Sequence, residues 1–261
     1  MADVEVDRDS QHVATVTLNR PHVKNALSIE TADLLADSLL SLQSDPEVRV
    51  IILTGAGKDF CGGGDLKRLA QPRSTLEIHD RLTEHMHRIP YAFESVDKPV
   101  IAAVNGDAFG AGMDISLMCD FRFAATSARF SDGYILAGLV PGDGGSYLLP
   151  RIVGIATALD LLLTGRTVDS AEALRLGLVN RVIDDGDLLA ESGAFAAALA
   201  AKPSHLVRAI KRLTYQSARS DLRTSLHLAA AEMGVVRSTT ESAETLANFM
   251  SGRDQRRPSD S

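Results

Sequence analysis

The sequence predicts an α/β fold. Three observations carry this: short β-branched runs of the kind that form buried strands, apolar stretches of helical period between them, and glycine-rich turns after two of the runs. At 261 residues with 45% hydrophobic content, the chain can bury a sizeable core, as one large domain or as one domain with an appendage.

His12 to Leu18 alternates apolar and polar side chains, as a half-buried strand does, while Val48 to Leu53 (VRVIIL) and Pro99 to Val104 (PVIAAV) are short β-branched runs. Ser28 stands where it caps a first helix, with Glu30 in the opening turn and Leu34, Leu35, Leu39, Leu40 and Leu42 behind it. Thr75 to Phe93 reads as a second, polar-faced helix. Strand, glycine-rich turn and helix recur at Leu53 to Leu69 and at Val104 to Met118, so the two turns are expected to face one pocket. After Lys202 and Pro203 the strand-like runs stop: Ser204 to Met250 reads as consecutive amphipathic helices, and SGRDQRRPSDS beyond them is polar enough to fray. The chain therefore divides into a core, residues 1–200, and a C-terminal helical region, residues 201–261. The alanine-rich, leucine-studded face of Leu226 to Val236 packs either on its own core or on a neighbouring subunit.

Composition excludes several classes. A net charge of −7, with basic residues grouped only at Arg208, Lys211 and Arg212 and at Arg253, Arg256 and Arg257, opposes nucleic-acid binding. Two distant cysteines, Cys61 and Cys119, lack the paired spacing of a zinc site and suit a reducing compartment. The opening MADVEVDRDSQ lacks the basic start and apolar run of an export signal, and no apolar run approaches the roughly 20 residues of a membrane span. The expectation is a cytoplasmic protein with no nucleic-acid or membrane partner. The histidines do not fall into ligand spacing with carboxylates or cysteines, so no metal site is expected.

The most informative stretch is Val104 to Asp120, VNGDAFGAGMDISLMCD, a strand running through a glycine turn into an apolar helix. The first N–H groups of a helix have no intrahelical partner, and the small residues Gly110, Ala111 and Gly112 let a ligand oxygen approach them. Asp114, one turn on, adds a group able to transfer a proton.

Three motifs, FCGGGDL (Phe60 to Leu66), PVIAAVNGDAFGAGMDISLMCD (Pro99 to Asp120) and GLVPGDGGSYLLPRIVG (Gly138 to Gly154), resemble the signatures of the enoyl-CoA hydratase/isomerase (crotonase) superfamily. The resemblance extends from RPHVKNALS near Arg20 through TGRTVDSAEALRLGLVNRVI into the C-terminal helices. It implies a spiral of ββα units, a C-terminal helical region used for trimer assembly and often doubled to a hexamer, and an acyl-CoA thioester substrate. No cofactor is implied beyond the coenzyme A that the substrate carries. By the same resemblance, the amides of Gly64 and Ala111 form the oxyanion hole, with Gly110 beside them. Backbone around Ala26 and Leu27, with Lys24 near phosphate and Gly62, Asp65 and Leu66 along the channel, accommodates coenzyme A. Lys24 also reads as a solvated loop lysine, and Asp65 as a helix cap.

Hydratases of this family carry two glutamates, and neither is glutamate here. The first position is Asp114 and the second is Tyr134 in SDGYILAG. A tyrosine of ordinary pKa cannot act as a carboxylate base but can hydrogen-bond or act as a weak acid. Asp143, in PGDGG, supplies a second carboxylate, and Asp114 and Asp143 are expected to form the acid/base pair. The alternative for Asp143 is a cap on the helix that begins near Gly145; for Asp114, it is a favourable position in the helix dipole. His85 and His87 lie on the helix from which a dehalogenase branch of the superfamily draws a histidine, but polar neighbours place them on a solvated face. Asp120 reads as structural. Three functions stay open: enoyl-CoA hydration, the leading one; double-bond isomerisation, which needs a single proton-shuttling base; and acyl-CoA binding without catalysis.

Overall fold

A computed structural model describes residues 2–65, 71–72 and 74–254, except for the side chains of residues 252–254. These residues divide into two compact units, one within Met1–Ala200 and the other within Ala201–Ser261. The chain is mixed α/β with a largely parallel main sheet.

In the first unit, strand β1 (Val4–Arg8) pairs antiparallel with β2 (Val13–Leu18). The sequence VEVDR alternates as an edge strand should, a period hidden among the acidic opening residues. Helix α1 (Ile29–Ser44) then leads to β3 (Val50–Gly55). Ser28 caps α1, its Oγ accepting from the Thr31 N–H at 3.2 Å. Leu35, Leu39 and Leu42 of α1 are buried, whereas Leu34 and Leu40 lie on its outer face.

The expected single helix over Thr75 to Phe93 is interrupted. Helix α2 (Thr75–Arg81) passes into a π turn at Leu82–Met86, and α3 (Arg88–Ser95) comes after it. A π turn fits extra chain into one turn and rotates the residues beyond it, which lets one segment serve two directions: Leu82 and Met86 line a cavity while His85 meets α1.

Strand β4 (Val100–Val104) turns at Asn105 and Gly106 into β5 (Asp107–Phe109), which leads to helix α4 (Ala111–Met118). Strands β6 (Phe121–Ala125) and β7 (Arg129–Ser131) repeat the pattern, followed by a short 3₁₀ turn and helices α5 (Gly145–Val153) and α6 (Ile155–Thr164). Strand β8 (Val168–Asp169), helix α7 (Ser170–Arg175), strand β9 (Arg181–Ile183) and helix α8 (Leu188–Ala200) complete the unit. The main sheet has the order β1-β2-β3-β4-β6-β9, parallel from β2 onward, and a second sheet has the order β5-β7-β8. Each passage from one sheet to the other, β4 to β5 and β6 to β7, is a ββ step of the spiral. Strands β3 and β4 are buried on both faces, which explains their continuous apolar runs.

The second unit holds α9 (Ser204–Ser217), α10 (Leu222–Arg237) and α11 (Thr240–Asp254). Asp221 caps α10 by accepting from the Arg223 and Thr224 N–H groups, and Arg212 pairs with Glu232 at 2.6 Å. Ser251 to Asp254 continue α11 rather than fraying, and residues 255–261 lie outside the described part. Leu226, Met233, Val235 and Phe249 are exposed.

Candidate active site

Two loops are clamped side by side. Cys61 N–H donates to Asp107 O at 3.0 Å and Phe109 N–H donates to Cys61 O at 3.0 Å, so the first glycine loop runs along β5. A third segment joins them: Gly62 N–H donates to Lys24 O, Leu27 N–H to Gly63 O and Asp65 N–H to Leu27 O. The turn into α4 is made by Gly110, whose φ of 50° and ψ of −122° are costly for any residue with a Cβ. As a result Ala111 N–H opens the helix with no carbonyl partner among the described residues, and Gly64 N–H likewise has none.

Both residues line a cavity of about 510 Å³. Gly62, Gly110, Tyr134 and Asp143 line it too, and its apolar wall includes Leu82, Met86, Leu136, Leu139 and Val140. The volume lies within the range of small-molecule sites. Lys24, Ala26, Leu27 and Asp65 do not line it. Leu27 is fully buried with both backbone groups committed to the first glycine loop, so it braces the loop. Ala26 O accepts from Arg20 Nη1. Lys24 reaches Asp107 at 3.3 Å and Asp59 at 3.6 Å with its side chain 60% exposed, so it is a solvated loop lysine that is also ion-paired. Leu66 and the helix expected after the first glycine loop lie outside the described residues.

Asp114 does not face the cavity. Helix α4 is buried from Ala111 through Leu117, and Asp114 within it is 0% exposed. Its carboxylate reaches the cavity through Tyr134, whose Oη lies 3.0 Å from Asp114 Oδ2 and 2.8 Å from Asp143 Oδ2. The two aspartates expected from sequence to pair are thus bridged by Tyr134, the tyrosine expected to hydrogen-bond or act as a weak acid. Asp143 does not cap α5: that helix begins after Gly144 with no side-chain cap, and Asp143 turns to Tyr134 instead.

Sequence reasoning passed over Asp132. Its side chain is 1% exposed, lies against Asp114, and has no conventional donor at either oxygen; Asp114 Oδ1 and Asp143 Oδ1 also lack side-chain donors among the described residues. The carboxyls of Asp114 and Asp132 crowd the same point of the chain, because a methyl group on Gly145 would collide with both. The signal was present in SDGYILAG, two residues before Tyr134, but nothing in the string shows that Asp132 points inward.

Burial sets the electrostatics. It holds the Asp114 carboxyl well above the usual range, helped by the charges of Asp132 and Asp143 and opposed by the Tyr134 hydroxyl and the Gly145 N–H. Burial likewise pushes Asp132 up to about 7 and raises the Tyr134 phenol. It raises Asp143 as well, but the Tyr134 hydroxyl, His87 and Arg81 draw that carboxyl back. Of the three, Asp143 is the one that His87 and Arg81 draw down, so it is the carboxylate best able to stay ionised.

The histidines differ: His85 is partly exposed, with Nδ1 3.0 Å from Asp33 Oδ2, while His87 turns inward and its Nε2–H donates to Gly142 O at 2.9 Å, next to Asp143. Asp120 is structural: its Oδ2 accepts from Val100 N–H at 2.7 Å. Among the described residues no group of three or more His, Cys, Asp or Glu is placed to hold a metal ion, and no helix is long and apolar enough to cross a membrane.

An α/β chain that brings two amides without a carbonyl partner among the described residues to an apolar cavity edged by a carboxylate has the makings of an enzyme site for a carbonyl compound. Residues 8–256 match the family described as enoyl-CoA hydratase/isomerase, and the chain belongs to that family. It is 37% identical over 248 residues to a Mycobacterium bovis protein named probable enoyl-CoA hydratase, covering 95% of each chain. It is 34% identical to a crotonyl-CoA hydratase of Syntrophomonas wolfei, covering 93% of each. The crystal structure of an enoyl-CoA hydratase from Mycobacterium smegmatis superposes with a TM-score of 0.92 at 33% identity, over 99% of this chain and 98% of that one.

Proposed function

We propose that the protein is an enoyl-CoA hydratase, a lyase that adds water across the α,β double bond of an acyl-CoA thioester. The observation that carries this reading is the bridge from Asp114 through Tyr134 to Asp143, beside the amides of Gly64 and Ala111.

The two amides hold the thioester oxygen as it gains enolate charge, an interaction whose loss typically costs ~10²–10³ in rate per donor. Asp143, ionised, takes a proton from water as the water oxygen bonds to the β-carbon. Tyr134 gives its proton to the α-carbon and takes one from Asp114 in the same movement, so the phenol never carries charge. The proton on Asp143 then returns through Tyr134 to Asp114. Water has been added, and every protein group is restored. Asp114 acts through Tyr134 and does not touch substrate. The reaction needs no cofactor beyond the coenzyme A that the substrate carries. Coenzyme A passes along the Gly62 side of the cavity, while the Lys24 to Leu27 segment holds the loop in place.

A second reading, double-bond isomerisation, is favoured by Tyr134 standing where hydratases carry a second acid, since isomerisation needs one carboxylate to move a proton between two carbons. The exposed apolar residues of α10 and α11 support assembly as a homotrimer or hexamer, and the composition supports a cytoplasmic location. A panel of enoyl-CoAs in ¹⁸O-labelled water, followed by mass spectrometry, tests the function. Solvent oxygen in the product supports hydration, a shifted double bond without oxygen gain supports isomerisation, and tight binding without conversion reduces the protein to an acyl-CoA carrier.

A further inference from the structure

The buried end of the bridge raises a question of protons. Tyr134 Oη contacts two carboxyl oxygens, yet a phenol has one hydrogen to donate. The second contact is a hydrogen bond only if one carboxyl is protonated and donates to the phenol. Beyond Asp114, its Oδ1 and Asp132 Oδ2 converge on the same space beside Gly145, both buried and neither with a donor among the described residues, so two negative oxygens would face each other unless one of the two carboxyls keeps a hydrogen. Two contacts at Tyr134 Oη and one converging pair of carboxyl oxygens call for three hydrogens. Tyrosine provides one, so two come from the three carboxyl groups, and the chain of four groups as a whole carries one negative charge.

That charge has a preferred seat. Asp132 and Asp114 are 1% and 0% exposed, and an isolated buried carboxylate is strongly disfavoured. Asp143 opens on the cavity, accepts from Tyr134 and lies in the loop held by His87.

We propose that Asp132 is a positioning residue that holds a shared proton against Asp114, closing a four-membered chain Asp132–Asp114–Tyr134–Asp143 that stores two carboxyl protons and places its single negative charge at the cavity. Asp132 thereby fixes the direction of every hydrogen bond in the chain: Asp114 donates to Tyr134, and Tyr134 donates to Asp143. When Asp114 yields its proton toward the cavity, the proton on Asp132 stabilises the carboxylate left behind. The inference rests on the hydratase reading for its catalytic consequence, but the proton count itself belongs to the substrate-free protein.

The test is Asp132→Asn in the full chain. An amide has nearly the same shape but donates permanently to Asp114, so Asp114 ionises more easily and one stored proton is lost. Infrared titration of the substrate-free protein should show protonated-carboxyl absorption persisting at neutral pH in the parent and reduced in D132N. With a converted enoyl-CoA, the high-pH limb of kcat should move down by about one unit or more, with KM unchanged. A role in packing alone would move neither the infrared band nor the limb. Equal infrared spectra of parent and D132N at neutral pH overturn the proposal whether or not the protein hydrates anything; a reduced band with no turnover of any enoyl-CoA by the parent overturns only the hydratase reading. If D132N does not fold, Asp114→Asn removes the same shared proton from the other side, and its infrared spectrum decides.

Discussion

Tyr134 Oη stands between Asp114 Oδ2, at 3.0 Å, and Asp143 Oδ2, at 2.8 Å. The two aspartates come from helix α4 and from the loop before α5, so their distance from one another is set by tertiary packing, and the phenol fills it. In the proposed reaction the carboxyl buried behind the phenol keeps its proton while the one at the cavity edge gives its proton up, which separates acid from base without any difference in residue type.

Removing the Tyr134 hydroxyl breaks the bridge while leaving the ring in place. Tyr134→Phe should lower kcat by ~10² or more and change KM little, because the lost proton transfer belongs to the transition state. Steady-state kinetics on a converted enoyl-CoA check this; unchanged kcat would remove Tyr134 from the chemistry.

Asp143 lines the cavity and is the base of the proposed reaction. Asp143→Asn should lower kcat by at least ~10², with binding of a saturated acyl-CoA retained. Calorimetric titration of the variant separates a lost proton acceptor from a lost binding site.

His87 holds the Gly142 carbonyl and draws the Asp143 pKa downward. In His87→Ala that influence disappears, so the pKa of Asp143 rises. Since the base must be ionised, the low-pH limb of kcat/KM should move to higher pH. A limb that stays in place or moves down contradicts the assignment.

Asp132 binds its proton more tightly folded than unfolded, with a folded pKa of about 7 against an ordinary value of 3.8. Between those values the native state holds more protons than the unfolded chain, so this group's contribution to stability falls as pH rises through that window. Asp132→Asn should therefore raise Tm relative to the parent at pH 8, and the gain should shrink below about pH 4, where both folded and unfolded aspartates are protonated. Thermal unfolding at the two pH values measures it.

Gly145 leaves room for two carboxyl groups. Gly145→Ala should cost ~1–3 kcal/mol of stability, the range for an overpacked buried site, because the added methyl collides with both Asp114 and Asp132. Denaturant unfolding of the variant gives the value directly.

Much of the fold was legible because local rules and burial agreed. Ser28 capped its helix, the β-branched runs at 48–53 and 99–104 became central parallel strands, and the glycine turn before Asp114 opened a helix. The break at 82–86 was not legible, because a π turn carries no composition of its own and is decided by the groups its side chains meet. The short strands β5 and β7 to β9, two or three residues each, are too brief for any period to show.

The sequence by itself determined the family, the amide-bearing glycine loops and the presence of Asp114, Tyr134 and Asp143, because each rests on residue type and spacing along the chain. Only the tertiary structure decided that Asp114 lies behind Tyr134, that Asp143 bonds the phenol rather than capping a helix, and that the Asp132 carboxyl is buried beside that of Asp114. Those facts depend on which way side chains from separate elements point once α4, the 131–134 segment and the loop before α5 pack together, and on how far the surrounding core excludes water from their charges.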